Sequence, residues 1–150
     1  MSEPEALIRL KSDMKEAMKA RQAERLAAIR LLIASLQQKQ IDQQKDLTDE
    51  QALDVLSTEA KKRREAAAAY RDGGRTELAE KEEGELKVIE DYLPKQLTPE
   101  EVEALVDEIL EETGVTKKSD MGRVMGQLMP KVKGRFDGSQ VKGIVMGKLE

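Results

Sequence analysis

The sequence contains neither cysteine nor histidine among its 150 residues. The absence of cysteine excludes disulfide bonds and thiolate nucleophiles. Without either residue type, the usual zinc sites and the commonest general base are excluded as well. Tryptophan is absent and aromatic residues make up only 2% of the chain, which argues against a row of exposed rings for stacking bases. We therefore expect no catalytic residue, no metal and no cofactor.

Long apolar runs are also missing, since none approaches the ~20 residues that a membrane span needs. The first five residues are acidic and contain no apolar core of the kind found in a secretory signal. From these two features we expect a cytoplasmic protein that makes no membrane contact.

What the chain does contain is charge, at 37% of residues, together with many alanines and leucines. This composition favours helices over strands. The net charge of −4 argues against indiscriminate coating of nucleic acid, but it leaves room for a basic patch on one face.

Helix starts are marked by five capping patterns, one of which is the turn and N-cap at residues 137–139. Thr48 and Thr98 each precede a Gln or Glu by three residues, and Pro99 stands at the first helical position after Thr98. Ser2 begins a third pattern of this type, and Ser119 is a fourth candidate N-cap. Helix ends are expected where glycines follow Asp72 and at Gly114.

Apolar residues recur at helical spacing between these signals, and Pro94 disfavours a helical conformation at Leu93. The sequence therefore predicts an all-α protein with two helical domains. Residues 1–94 would form an array of long helices, and residues 95–150 a compact tail of three helices.

The tail is strongly polarised in charge. Seven acids and no base lie between residues 100 and 112, whereas eight bases and two acids lie between residues 117 and 148. The bases are Lys117, Lys118, Arg123, Lys131, Lys133, Arg135, Lys142 and Lys148. One interpretation is a set of solvated helix faces with cations near helix C-termini. The other is a phosphate-binding patch, in which Gly134 and Gly138 let backbone amides approach a phosphate.

Two pairs of glycines lie four residues apart, Gly122 with Gly126 and Gly143 with Gly147. One interpretation is that they let two short helices pack closely together. The other is that they are exposed and give an RNA backbone room to approach. Pro130 is expected to bend or end the helix that carries the first pair.

The motif Asp-Met-Gly-Arg-Val-Met-Gly at residues 120–126, followed by residues 129–135 and 137–138, resembles the signature of the YqeY family of small bacterial proteins. Residues 14–20 and 92–97 also match that pattern, so the likeness covers essentially the whole chain. Phe136 stands where the pattern suggests a small residue, and it is a candidate stacking ring. The C-terminal helices of this family are similar to the tail domain of the GatB subunit of tRNA-dependent amidotransferase.

This resemblance implies an all-helical protein of two domains whose tail helps to hold tRNA. We therefore expect a non-catalytic tRNA-binding accessory protein. The predicted RNA contacts are Lys131, Lys133, Arg135 and Arg123, with Lys117, Lys118 and Lys142 as outer contacts and Gly134 and Gly138 in the turn. An aminoacyl-tRNA synthetase or another translation protein is a further expected partner.

Two alternatives follow from the same features. The first is a component of a carbon–nitrogen ligase that uses glutamine as amide donor and acts on aminoacyl-tRNA. The second is a helical protein-interaction module whose long N-terminal helices dock a partner.

Overall fold

In the computed structural model, residues 2–150 are described, and they form seven α-helices and one short 3-10 helix without a strand. The prediction of an all-α fold is confirmed. The α-helices are α1 (Glu5–Lys19), α2 (Ala23–Gln43), α3 (Asp49–Asp72), α4 (Thr76–Glu90), α5 (Pro99–Thr113), α6 (Met121–Val132) and α7 (Gly138–Lys148). The 3-10 helix spans Lys118–Asp120.

Internal contacts divide the chain into two compact units, Met1–Leu93 and Pro94–Glu150, which we call the N-terminal unit and the C-terminal unit. Helices α1 to α4 belong to the first, and α5 to α7 with the 3-10 helix belong to the second. The division lies one residue before the boundary expected from the sequence. That each unit folds as a separate domain stays a prediction.

The N-terminal unit has a core of leucine, isoleucine and alanine side chains from all four of its helices. Its largest fully buried members include Leu7, Leu10, Ile29, Leu32, Leu36, Leu56 and Ile89. They recur three or four residues apart on each helix, as expected for helices that bury one face. Burial of these faces stabilises the helices more than the intrinsic propensity of the chain does.

Three of the five predicted N-caps are confirmed, one at Asp137 and two as complete capping boxes. The hydroxyl of Thr48 accepts a hydrogen bond from the Gln51 amide at 3.1 Å. The hydroxyl of Thr98 accepts one from the Glu101 amide, also at 3.1 Å. In both cases the residue at the third helical position accepts from the N-cap amide in return. Each box satisfies two donors that the first turn of a helix leaves without a partner.

The other two predicted caps are wrong. Helix α1 begins at Glu5 with Pro4 at the N-cap, and the Glu5 amide donates to the Asp49 carboxylate at 2.8 Å. A carboxylate from the start of α3 therefore does what was expected of Ser2. Ser119 lies within the 3-10 helix, and no side chain caps the start of α6.

Tyr92 joins the end of the N-terminal unit to α1. Its hydroxyl donates a hydrogen bond to Asp13, and the Arg9 guanidinium lies 4.5 Å from the centre of its ring. Arg9 also donates to the backbone carbonyl of Asp91 at 2.9 Å. Burial, followed by the hydrogen bond to Asp13, raises the pKa of Tyr92 above its ordinary value, because both favour the neutral phenol.

The C-terminal unit is a three-helix arrangement around a smaller core rich in valine. Val102, Val106 and Ile109 of α5 meet Val124 and Leu128 of α6 and Val141 and Val145 of α7, and all are fully buried. Helix α5 ends at Gly114, whose φ of 73° is readily adopted only by a residue without a side chain.

Pro130 lies inside α6 and does not end it, contrary to one of the expectations above. Two further residues remain helical, and the Lys133 amide closes the last turn on the Met129 carbonyl at 2.9 Å. Proline removes only one hydrogen bond at this point, and the Gly126 residue whose carbonyl loses it is exposed to solvent.

Candidate nucleic-acid interface

The basic turn between α6 and α7 has a defined backbone conformation. Gly134 has a φ of 74°, and the amides of Arg135 and Phe136 both donate to the Val132 carbonyl, at 2.9 and 3.1 Å. A φ of this sign favours glycine at position 134, and the predicted approach of this residue to a phosphate stays a prediction. Phe136 follows and is half-buried against the core of the unit, and its role as a stacking ring stays a prediction.

The segment before α5 holds this turn in place. The Leu97 amide donates to the Arg135 carbonyl at 2.7 Å, and the Gln96 side chain donates to the Gly134 carbonyl at 2.9 Å. Sequence reasoning missed both contacts, since they link residues that are 38 positions apart in the chain. The match of residues 92–97 to the family pattern was the only signal that this segment had a specific role.

Arg135 serves as a clamp on the backbone of the turn. Its Nε donates to the Lys95 carbonyl at 3.0 Å, and one terminal nitrogen donates to the Lys131 carbonyl at 3.2 Å. A guanidinium has five N–H donors, so some remain for a phosphate. Its observed contacts are nevertheless structural, and the pattern of basic residues in the sequence did not indicate this role.

Arg123 and Lys131 are exposed bases on α6. Within residues 2–150, neither has an acidic side chain within ion-pair distance. A spacing of eight residues places them two turns apart, about 12 Å along the helix axis. Lys133 is exposed just beyond the end of the helix.

The surface of α6 beside Arg123, on the side away from Lys131, has little side-chain cover. Gly122 and Gly126 are exposed there, and a Cβ atom added at either position would meet nothing within 4 Å. Gly143 and Gly147 on α7 are equally open. The interpretation that these glycines let two helices pack closely is therefore wrong, and the alternative of exposed glycines is the one that the structure matches.

The predicted outer contacts are more scattered. Lys117 and Lys118 lie at the start of the 3-10 helix, where the Lys118 amide donates to the carbonyl of Glu150 at 3.1 Å. Lys142 is exposed on α7. Lys148 is engaged, because its ammonium lies 3.2 Å from the Asp107 carboxylate of α5.

Gly138 is the first residue of α7, and Asp137 caps this helix by accepting from the Ser139 amide at 3.0 Å. A Cβ atom at Gly138 would lie 3.8 Å from the Met129 side chain, which is an ordinary contact. The space at Gly138 therefore does not require glycine. Its predicted approach to a phosphate stays a prediction.

Residues 2–150 form neither a metal site of acidic side chains nor a membrane span. No three acidic side chains are grouped there so that they could hold a metal ion. In the same range, every helix is too short or too polar to cross a bilayer.

Comparison with known proteins gives a match along nearly the whole chain. A family model described as "Yqey-like protein" matches residues 7–149. The chain is 34% identical over 111 residues to "Altered inheritance of mitochondria protein 41, mitochondrial" of Eremothecium gossypii, which covers 72% of this chain and 61% of that protein. Proteins of the same name from Kluyveromyces lactis and Pyrenophora tritici-repentis are 32% and 30% identical, covering 81% and 89% of this chain. The matched segments make up 70% and 76% of the length of those two proteins.

These relatives change two expectations. They carry the word mitochondrial in their names, so the prediction of a cytoplasmic protein is wrong. They come from eukaryotes, and a bacterial source is therefore not supported. The chain spans only about three fifths of the length of the Eremothecium gossypii relative.

Proposed function

We propose that this chain, which belongs to the YqeY-like protein family, is a non-catalytic accessory protein that binds tRNA through its C-terminal unit. One observation carries the proposal: the outer face of α6 combines exposed, unpaired bases with exposed glycines. Arg123 and Lys131 supply the charge, and Gly122 and Gly126 leave the helix backbone accessible beside Arg123.

This combination suits a phosphate backbone for two physical reasons. Cations without an acidic partner attract phosphates without first having to break an ion pair. Glycine lets a strand approach the helix surface more closely than any side chain would allow. Contacts of this type supply affinity and position but little sequence preference.

The resemblance of the tail to that of the GatB subunit makes tRNA the first RNA to test. In that enzyme the tail helps to hold tRNA, while other parts carry out the chemistry. The present chain lacks histidine and cysteine, and this agrees with a holding role for it.

The test is filter binding of total tRNA over a range of salt concentrations. The variant Arg123→Gln/Lys131→Gln/Lys133→Gln removes three charges and leaves the Arg135 clamp intact. Each lost phosphate contact should reduce the magnitude of the salt slope of log affinity by about 0.7–0.9, so the slope should fall by roughly 2–3.

A matched control removes three exposed lysines from the N-terminal unit, as Lys15→Gln/Lys39→Gln/Lys45→Gln. Both variants have the same net charge, and only the α6 variant should show a smaller salt slope of log affinity. The proposal fails if wild type does not bind tRNA at ~50 mM salt, where phosphate contacts are strengthened. It also fails if the control loses as much binding as the α6 variant.

A second function is proposed for the N-terminal unit, that of a protein-interaction module. Its helices expose five large apolar side chains, namely Ile8, Met18, Leu31, Ile41 and Leu78. Leu31 and Ile41 lie ten residues apart on α2, which places them about 80° apart around the helix axis. Large exposed apolar patches mark interaction surfaces.

A further inference from the structure

A groove of about 690 Å³ lies between the beginning of α2 and the outer face of α4. From α2 it is lined by Ala23, Glu24, Arg25, Ala27 and Ala28, and from α4 by Glu77, Glu80, Lys81, Gly84, Glu85 and Val88. Both sets recur at helical spacing, so the groove runs between two helix faces. All of these residues belong to the N-terminal unit, and none belongs to the proposed tRNA interface.

Small side chains form the floor of the groove. Ala27 and Ala28 line it on α2, and Gly84 faces it from the middle of α4, where an added Cβ atom would meet nothing within 4 Å. Glycine within a helix costs on the order of 1 kcal/mol relative to alanine, and no packing contact in the unit requires it here. Because these lining residues are small, the groove has room for large side chains of an occupant.

The dimensions of the groove favour a helix as that occupant. The stretch of α4 from Glu77 to Val88 is about 16 Å long at 1.5 Å per residue, which equals three helical turns. The lining contains no aromatic ring and only one larger apolar residue, Val88, so a compact apolar ligand would find little to contact. Side chains of a third helix can fill the depression between two others, as in ridges-into-grooves packing.

The face of α2 continues the apolar surface beyond the groove. Ala27 is followed at intervals of four and three residues by Leu31 and Ala34, and Leu31 is 49% exposed. Alternating intervals of three and four are the spacing by which one helix packs along another.

Charge on the rim indicates the chemistry of the partner. Arg25 lies 3.4 Å from Asp91, and Glu85 lies 3.4 Å from Arg63, so those two lining residues are neutralised. Within the described residues, Glu24, Glu77 and Glu80 have no basic side chain within ion-pair distance, whereas Lys81 is the one lining base without an acidic partner. The rim therefore carries excess negative charge, which complements a cationic occupant.

We propose that this groove binds an amphipathic helix of a partner protein whose apolar face is flanked by lysine or arginine. The apolar residues of that helix cover Ala27, Gly84 and Leu31, and its cations pair with Glu77, Glu80 and Glu24. The proposal deepens the interaction module proposed for the N-terminal unit and does not depend on tRNA binding.

The probe is a fluorescein-labelled peptide of ~14 residues, about four helical turns, with leucine at intervals of three and four and lysine elsewhere. A second peptide has glutamate in place of lysine. Fluorescence anisotropy at low salt measures the binding of each peptide to the full chain. The lysine peptide should bind and the glutamate peptide should not, because only the first complements the rim.

The variant Gly84→Leu fills the floor without changing any charge. It should raise the dissociation constant of the lysine peptide at least about tenfold, which corresponds to ~1.4 kcal/mol. Because the site is open and leucine is a better helix former than glycine, this variant should stay folded by circular dichroism. Its affinity for tRNA should not change, which separates this proposal from the other one.

Non-specific attraction between a basic peptide and an acidic protein is controlled by a pair of charge variants. Glu77→Gln/Glu80→Gln removes two charges from the rim and should weaken binding about threefold to tenfold. Glu108→Gln/Glu111→Gln removes two exposed charges from α5 and should leave binding nearly unchanged. The proposal would be overturned if the two pairs of charge variants weakened binding of the lysine peptide equally. It would also be overturned if Gly84→Leu bound that peptide as tightly as wild type does.

Sedimentation equilibrium of the free chain tests the other possible occupant. The proposal expects no dimer that depends on the groove. Dimerisation that Gly84→Leu abolishes would place a second copy of the chain there and overturn the assignment to a basic partner helix.

Discussion

Helices α1 to α4 leave five large apolar side chains exposed, and the groove between α2 and α4 has an acidic rim. Helices α6 and α7 instead expose four glycines and several bases, and Met146 is the one large apolar residue exposed there among those described. Both units are built from the same kind of element, and each has a core of completely buried apolar side chains. The two units therefore differ in the side chains that they expose to solvent. This difference in exposed side chains is the reason for proposing different partners for them.

The contrast shows that the meaning of a small residue depends on its surroundings. Gly84 faces an acidic groove with apolar walls, whereas Gly122 and Gly126 lie beside unpaired bases. In the first place an absent side chain makes room for the side chains of a helix, and in the second it makes room for a charged backbone. Both cost helical stability, by a similar amount for each glycine.

The largest expected effect tests whether the two units are energetically separate. Leu56 and Leu128 are both completely buried, one in each core. Leu56→Ala and Leu128→Ala should each lower the free energy of unfolding of their own unit by about 2–5 kcal/mol, from lost burial and a remaining cavity. Hydrogen exchange resolved along the chain should show loss of protection in one unit only.

The exposed Leu31 serves as the control for this pair, since Leu31→Ala should change stability by no more than about 0.5 kcal/mol. If either core variant lowers the protection of both units equally, the chain unfolds as one cooperative body. The comparison of two independent units would then be wrong.

The next effect separates bases that hold the C-terminal unit together from bases that are free to bind. Arg135→Gln removes the hydrogen bonds to the Lys95 and Lys131 carbonyls and should destabilise that unit by about 1–3 kcal/mol. Lys131→Gln removes the same charge from the surface and should cost less than about 0.5 kcal/mol. Urea denaturation of the two variants measures the difference. Equal stabilities would show that the Arg135 clamp contributes nothing.

A smaller effect, which stabilises the protein, is expected from substitutions of the exposed glycines and sharpens their comparison. Gly122→Ala and Gly126→Ala should each stabilise the C-terminal unit by about 1 kcal/mol, because the positions are helical and open. The added methyl groups should nevertheless weaken tRNA binding by keeping the strand further from the helix. Gly84→Ala should stabilise the N-terminal unit by a similar amount and leave tRNA affinity unchanged. Unaltered tRNA binding by the Gly122 and Gly126 variants would remove the glycines from the proposed interface.

The smallest effect concerns alkaline pH and only the N-terminal unit. Because the folded state raises the pKa of Tyr92, the unfolded chain loses this proton first, near pH ~10. The contribution of Tyr92 to the stability of this unit should be constant below that pH and fall as the pH rises toward the raised pKa of the folded state. Thermal unfolding between neutral and strongly alkaline pH measures the fall.

Tyr92→Phe is the matched control for this titration. It should cost about 1 kcal/mol at neutral pH through the lost hydrogen bond to Asp13. The same variant should remove the part of the alkaline destabilisation that Tyr92 causes. An identical alkaline profile for wild type and variant would mean that Tyr92 does not titrate differently in the folded chain.

Local signals of the sequence determined much of the fold, because the interactions behind them span only a few residues. The capping boxes at Thr48 and Thr98 were predictable since donor and acceptor lie three positions apart. The glycines after Asp72 and at position 114 were predictable as helix ends for the same reason. The apolar spacing along each helix likewise indicated an all-α protein and its core faces.

Tertiary structure alone decided the features that depend on residues far apart in the chain. The Asp49 carboxylate replaces the expected Ser2 cap, and Phe136 packs half-buried against the core of its unit. Arg135 looks in the sequence like its basic neighbours, but carbonyls of Lys95 and Lys131 make it a clamp. The groove at Gly84 appears only when α4 is placed beside α2. A sequence pattern specifies which face of a helix is apolar, but the partner of each polar or small residue depends on which helices pack together.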